Sequence, residues 1–417
     1  MTQKQIAVIG GGVVGVCTAY FLAVAGHEVV VIERHQNVAQ EASFANAGIV
    51  AAGHASPWAA PGMPGKIFAS LFRSESPVIF KRTLDRATWR WIRKWLSECE
   101  LERYRINKSR MQRIAFYSRD ILRLLREHYE LDYEQTQGVL QLFRTEKDVG
   151  AAAPSIELLT ENEVPYQILD ADGVRQIEPA LCAQTKLAGG LYLPQDEAGN
   201  CPLFAKQMRH IASSIGVQFR FGTTVQSIEL ESRGVALHID GERLPADAVV
   251  LAAGIESARM LKDIGISIPL YPVKGYSATA MIRNFDQAPR AALLDDAYKV
   301  AITRLGNRIR IAGTAELGSR DMEIQERALR TLIKAGNDWF PGAANYAKAN
   351  FWSGIQPMLP DGPPLLGATS VRNVYVNIGH GSNGWAMAAG AGKVVADIVS
   401  GYAPEIDMDG LTMARYG

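Results

Sequence analysis

The sequence predicts a mixed α/β fold of two domains, and three observations carry that prediction. At 417 residues the chain is long enough for two cores. Near its start an apolar strand pattern runs through clustered glycines into an apolar helix pattern and then a second strand, over residues 6–33. Further along, β-rich runs with a period of two, such as 139–144 and 298–311, suit an antiparallel sheet.

The stretch 7–26, AVIGGGVVGVCTAYFLAVAG, is the most apolar in the chain. Its length matches the roughly 20 residues of a membrane-spanning helix. Lys4 before it and Ala-Val-Ala at 23–25 imitate a signal peptide. Gly10, Gly11, Gly12 and Gly15 argue against both readings, because each costs a continuous helix about 1 kcal/mol relative to Ala. A strand at 6–9, the spacing Gly10-x-Gly12-x-x-Gly15, a helix at 13–25 ending at Gly26, and a strand at 27–33 ending in Glu33 explain all of them. This order is the fingerprint of a dinucleotide site. The glycines make the turn and admit a pyrophosphate, and the helix N-terminus offers free N–H groups. Glu33 is expected to hold the ribose hydroxyls.

Two later stretches choose between nicotinamide and flavin. Residues 244–254, LPADAVVLAAG, form a buried strand ending in small residues, as flavoproteins use to bring a second segment beside the first glycine loop. Residues 373–385, NVYVNIGHGSNGW, carry a strand through a glycine turn into an apolar helix at 386–399. A helix N-terminus there suits the electron-rich edge of a reduced flavin, and nicotinamide enzymes have no use for it.

Composition narrows the class. Hydrophobic residues at 47% and charged residues at 21% are ordinary for a soluble globular protein. Cys17, Cys99, Cys182 and Cys201 are scattered without metal or disulfide spacing, so no metal site is expected and a reducing, cytoplasmic setting is. The net charge of +1 conceals a basic block: residues 81–126 hold 14 Lys/Arg against 5 Asp/Glu, leaving the remainder acidic. No recognition motif supports nucleic acid as its partner.

With these motifs in hand, the chain resembles the FAD-dependent D-amino acid dehydrogenases of the D-amino acid oxidase and glycine oxidase superfamily. The resemblance rests on the N-terminal glycines with Glu33-Arg34, Ser43-Phe-Ala-Asn-Ala-Gly48, Pro57-Trp-Ala-Ala-Pro-Gly62, Gly190-Leu-Tyr-Leu-Pro-Gln-Asp-Glu197, Tyr271-Pro-Val-Lys-Gly-Tyr276, Ile302-Thr-Arg304, Met358-Leu-Pro-Asp-Gly-Pro and Gly379-His-Gly381. It implies a Rossmann-like FAD-binding domain (1–53, 198–256 and 346–417) interleaved with a substrate domain (54–197 and 257–345) built on an antiparallel sheet. Gly10, Gly12, Val13, Val14, Gly15, Glu33, Arg34, Ser43, Asn46, Ala47, Gly48, Val225, Ala253, Gly254, Gly381, Ser382, Asn383 and Gly384 are the expected FAD contacts. No cysteine lies in the C-terminal glycine segment or in 351–364, so the FAD is expected to be non-covalent.

The resemblance also implies the chemistry: hydride leaves the substrate Cα for the flavin, and the imine hydrolyses to a 2-oxo acid, or remains as a cyclic imine. Arg304 is the expected carboxylate ligand. Tyr276 and Tyr298 are expected as a second hydrogen bond or a pocket wall, and His54 and His380 as residues facing the flavin. One position departs from the pattern. Relatives carry Gly-Leu-Arg-Pro where this chain has Gly354-Ile-Gln356-Pro357, which replaces an arginine by a neutral amide. A narrower substrate such as D-proline or hydroxy-D-proline is expected from it.

For the basic block, Trp89-Arg-Trp91-Ile-Arg-Lys-Trp95 leaves two readings open. One is an interfacial helix on an anionic membrane, delivering electrons to a quinone from a peripheral position on the inner face. The other is a solvated basic helix whose tryptophans pack inside the substrate domain. Two other functions compete with dehydrogenation: an oxidase using oxygen, and a flavin-binding subunit without turnover.

Overall fold

A computed structural model describes residues 2–70, 76–81 and 85–416. The apolar N-terminal stretch becomes the strand Gln5–Ile9 and the helix Val13–Val24, nine of whose twelve residues are buried. It is interior, and no helix among the described residues is long and apolar enough to cross a membrane.

Gln5–Ile9 is a central strand of a six-stranded sheet. The order is Leu365–Ala368, Val374–Ile378, Ala248–Leu251, Gln5–Ile9, Glu28–Ile32 and Gln218–Arg220. All pairs are parallel except the first. Such strands are buried on both faces and read as continuous Val/Ile runs, as VVVI at 29–32 and VVL at 249–251 do. A meander of three antiparallel strands, 225–246, flanks this sheet.

The helix Gly384–Ser400 packs between Val13–Val24 and the long helix Leu101–Tyr129. It approaches closely because Gly390 lies against the backbone of Ser118 and Gly392 against that of Cys17. A side chain at either glycine would force these helices apart.

The second sheet has ten strands. Its main path runs Asn350–Met358, Tyr271–Met281, Arg308–Leu317, Val300–Leu305, Ala292–Asp295, Thr136–Phe143, Gly189–Ala198 and Ile49–Val50. The β-rich runs at 139–144 and 298–311 fall within it. The helix Glu326–Trp339 covers one face through Ala328, Leu332, Ala335 and Trp339, against Tyr276, Ala278, Ile302, Ile309 and Ile311. The opposite face looks toward the smaller sheet. The expected division put 346–417 with the cofactor segments, whereas Asn350–Met358 forms an edge of the larger sheet.

The basic helix spans Arg86–Ser97 and is capped by Asp85, whose carboxylate accepts from Thr88 N at 2.7 Å. Arg82 of the basic block lies outside the described residues. Trp91 and Trp95 are buried among Trp58, Tyr271 and Val273, with Trp91 stacked on Tyr271. Only Trp89 of the three is exposed, beside Arg90, Arg93 and Lys94. The interfacial reading therefore loses two of its three tryptophans, which pack inside the protein.

Candidate functional site: a glycine-lined cleft between two sheets

The parallel strands of the smaller sheet end at one edge, where ligands bind in open α/β sheets. A cleft opens there, enclosing about 1360 Å³ of empty space counted to its open mouth.

Three glycines shape it for three separate reasons. Gly10 adopts φ 110°, and a Cβ there would come within 2.5 Å of Ala252 O. At Gly15 a Cβ would collide with Gly10 O, so this glycine permits helix–strand packing and does not line the cleft. Gly12 is different. Its backbone is extended, and a Cβ would meet nothing nearer than Ser43 Oγ at 3.6 Å. The protein alone leaves room for a side chain at 12; a phosphate approaching the backbone would not.

Glu33 follows the strand Glu28–Ile32 and lines the cleft. Its carboxylate accepts from Gly11 N at 2.6 Å and His35 N at 2.8 Å, so it is oriented before any ribose arrives. Arg34 turns outward and pairs with Glu41. Burial pushes the Glu41 carboxyl up, but hydrogen bonds from His35 and Arg34 hold it below its ordinary value. At the helix entrance Val13 N donates to Ser43 Oγ at 3.2 Å.

Of the expected FAD contacts, Gly10, Gly12, Val13, Val14, Glu33, Arg34, Ser43, Asn46, Val225, Ala253, Gly254, Gly381, Ser382 and Gly384 line the cleft. Gly15, Ala47, Gly48 and Asn383 are not among its lining residues. The chain enters the final helix through Gly379 and Gly381, both with positive φ. His380 between them is buried, and burial pushes its imidazole down to about 3, so it is neutral. Its Nε2 and Trp385 Nε1 are buried without a partner. Buried polar atoms of this kind normally have partners, and both residues line the cleft.

Thr223, Thr224 and Arg259 also line the cleft and were not foreseen. Thr223 and Thr224 follow the parallel strand Gln218–Arg220 at its carboxyl end, the one signal that could have found them. Arg310 was not foreseen either. It is buried, donates to Asn46 O at 3.2 Å and to Thr279 Oγ1 at 3.1 Å, while Thr303 Oγ1 donates to Ala47 O at 3.0 Å. The larger sheet thus grips the 46–47 backbone.

Among the expected substrate residues, the cleft contains Gln356 and His380. Arg304 does not reach it. Neighbouring strand residues face opposite ways, and Thr303 faces the cofactor loop. Arg304 faces away, donates to Gly306 O at 3.2 Å and stacks on Phe285. Arg304→Ala should change substrate affinity less than threefold; a tenfold loss in a titration would restore its role. Tyr276 also sits on the far face, donating to Glu316, which pairs with Lys274. Tyr298 lies beside Arg144 and Lys334. None of the three lines the cleft.

His54 is half-buried and does not line the cleft. Burial pushes it down to about 4, with Lys299 and Lys108 adding to the effect. Beside it Gly53 N donates to Asp196 Oδ1 at 3.3 Å, while Oδ2 has no partner. Burial pushes the Asp196 carboxyl up to about 7 against the pull of Gly53 N and Arg119. A carboxyl raised in the folded state binds its proton more tightly there, so this group costs stability as pH rises from about 4 to about 7. Asp196→Asn should therefore melt higher than the parent at pH 8, with the gain shrinking toward pH 4. An equal difference at both ends of a melting series would reject this.

Comparisons with known proteins agree with this architecture. A family model described as FAD dependent oxidoreductase matches residues 5–398. The chain is 47% identical over 416 residues to D-amino acid dehydrogenase 1 of Mesorhizobium japonicum, covering 99% of each. It is 45% identical over 418 residues to a D-amino acid dehydrogenase of Rhizobium rhizogenes, covering 99% of this chain and all of that one. In fold it is similar to glycine oxidase from Geobacillus kaustophilus, with a TM-score of 0.79 at 24% identity over the whole of both chains. With the cleft, its glycines and a match over nearly the whole length in agreement, the chain belongs to the family of FAD-dependent oxidoreductases.

Proposed function

We propose that this protein is an FAD-dependent D-amino acid dehydrogenase acting on a small, preferably cyclic or hydroxylated, D-amino acid. The observation that carries the substrate reading is Gln356. Its carboxamide lines the cofactor cleft and lies over Gly275, 3.0 Å from where a side chain at 275 would begin. Gly275 pairs across the sheet with Gly354. The floor there is small and uncharged, in keeping with a compact substrate.

Bound FAD supplies an acceptor for the hydride removed from Cα, as flavin cofactors do. The amine nitrogen's lone pair closes the C=N bond as the Cα–H electron pair departs; water then releases ammonia and a 2-oxo acid, or a ring amine leaves a cyclic imine. Gly12 and the Val13–Val24 N-terminus would hold the pyrophosphate, and Glu33 the ribose. Gln356 supports orientation of the substrate, which is the main protein contribution when a cofactor carries the chemistry. His380 is neutral and supplies no charge to a carboxylate.

The test is anaerobic mixing of the purified, FAD-loaded protein with D- and L-forms of alanine, proline and cis-4-hydroxyproline. Bleaching of the flavin by D-forms, with D-proline or its hydroxylated form ahead of D-alanine, is the expected result. An oxidised flavin throughout would refute the reading. We further propose that electrons pass to a quinone at an anionic membrane, supported by exposed Trp89, Arg90, Arg93 and Lys94. Binding to phosphatidylglycerol vesicles that survives 1 M salt, or is absent at low salt, would count against this electrostatic attachment.

A further inference from the structure

We infer that Ser277 is a substrate-binding residue whose hydroxyl donates to the substrate carboxylate beside Gln356; this rests on the D-amino acid reading above. Along Tyr271–Met281 alternate side chains share a face. Tyr271, Val273, Gly275, Ser277 and Thr279 lie on one face, with Gln356, Gly354 and Trp352 beside them through the pairs Val273–Gln356, Gly275–Gly354 and Ser277–Trp352.

Both ends of that face are covered. At one end Tyr271 and Val273 pack with Trp91 and Trp95. At the other, Thr279 accepts from Arg310, which holds the Asn46 carbonyl. Gly275, Gly354 and Ser277 lie between these covers, and the Gln356 amide that lines the cleft stands directly over Gly275. Trp352 folds its ring over Gly354 and walls that side.

Ser277 is only 1% exposed, and its Oγ has no hydrogen-bond partner. A buried hydroxyl without a partner destabilises the fold, and alanine would remove the penalty without leaving a large void. The adjoining strand repeats the pattern. Thr314, the unpaired residue of a bulge facing the Gly275–Tyr276 step, holds φ 52°, rare for a β-branched residue, and its buried Oγ1 also lacks a partner. Buried hydroxyls without partners therefore sit two residues along the strand from Gly275 and in the bulge facing it, with the Gln356 amide over that glycine. A carboxylate needs donors, and Ser277 with Gln356 can supply them without a formal charge.

The experiment uses FAD-loaded wild type, Ser277→Ala and Ser277→Cys, titrated anaerobically with the same D-amino acids, with flavin content and thermal midpoint recorded. Ser277→Ala should weaken apparent affinity at least tenfold for every D-amino acid that reduces the wild type. The limiting reduction rate should move less than threefold, as for loss of uniform binding, and the midpoint should not fall. Ser277→Cys keeps the volume with a weak donor and should be intermediate; it decides the matter if the alanine variant loads no FAD. Affinities within threefold of wild type in both variants would overturn the inference and leave the proposed function standing. A wild type that no D-amino acid reduces would overturn both.

Discussion

Gly12→Ala should give a folded protein with little or no flavin. A Cβ at 12 meets no protein atom nearer than 3.6 Å, so the melting temperature without cofactor should be close to that of the parent. The methyl would occupy the space through which a pyrophosphate reaches the helix N-terminus, and contacts of that kind leave no slack. FAD affinity should fall by about a hundredfold or more, some 3 kcal/mol. Gly15→Ala provides the contrast: its methyl would collide with Gly10 O inside the fold, so that variant should lose stability first and FAD as a consequence. If Gly12→Ala binds FAD like the parent, or melts as low as Gly15→Ala, the assignment of the two glycines is wrong. Flavin absorbance per chain and two melting curves settle it.

The second large effect is expected at Gln356. Gln356→Arg would place a planar guanidinium over Gly275, where no side chain obstructs it, on the cleft side of the sheet. A hydrogen bond to a charged partner contributes about 1.5–3 kcal/mol, so simple D-amino acids such as D-alanine should bind roughly 10- to 100-fold more tightly. D-Proline and its hydroxylated form should gain less, because the same change removes an amide that can both donate to and accept from a ring substituent. The ranking should shift toward D-alanine. An unchanged order of preference across the panel would show that position 356 does not select the substrate.

Much of the cofactor cleft was legible because its signals are local. Gly10, Gly12, Gly15 and Glu33 fall within a few turns of chain, and their order admits one backbone path. Ala253–Gly254 and Gly381–Gly384 were visible for the same reason, as apolar strands running into small residues. The substrate side was less legible because it depends on which face of a strand a residue occupies. A shift of one residue exchanges the two faces. Motif resemblance selected Arg304, while the register turns Thr303 toward the cofactor loop and sends Arg304 to Phe285. Tyr276 met the same fate, and Ser277 beside it went unnoticed because a lone serine carries no pattern. The sequence left two readings open for Trp89–Trp95 and could not say that Tyr271, from a distant strand, would stack on Trp91. Arg310 went unnoticed because nothing local announces that a loop near residue 46 arrives to accept its hydrogen bond.

The strand order of the smaller sheet also bears on how the chain is made. In the order of synthesis Gln5–Ile9 precedes one neighbour, Ala248–Leu251, by about 240 residues, and the strand beyond it, Val374–Ile378, by more. At ordinary synthesis rates of about 5–20 residues per second, the edge of this largely apolar strand stays open for roughly 10 to 50 s before its second partner exists. The cofactor cannot be enclosed during that interval, since the residues 377–385 that close the cleft are translated after it. Flavin capture is therefore a late event in the life of each new molecule, and the nascent chain depends on keeping that edge from pairing elsewhere in the meantime.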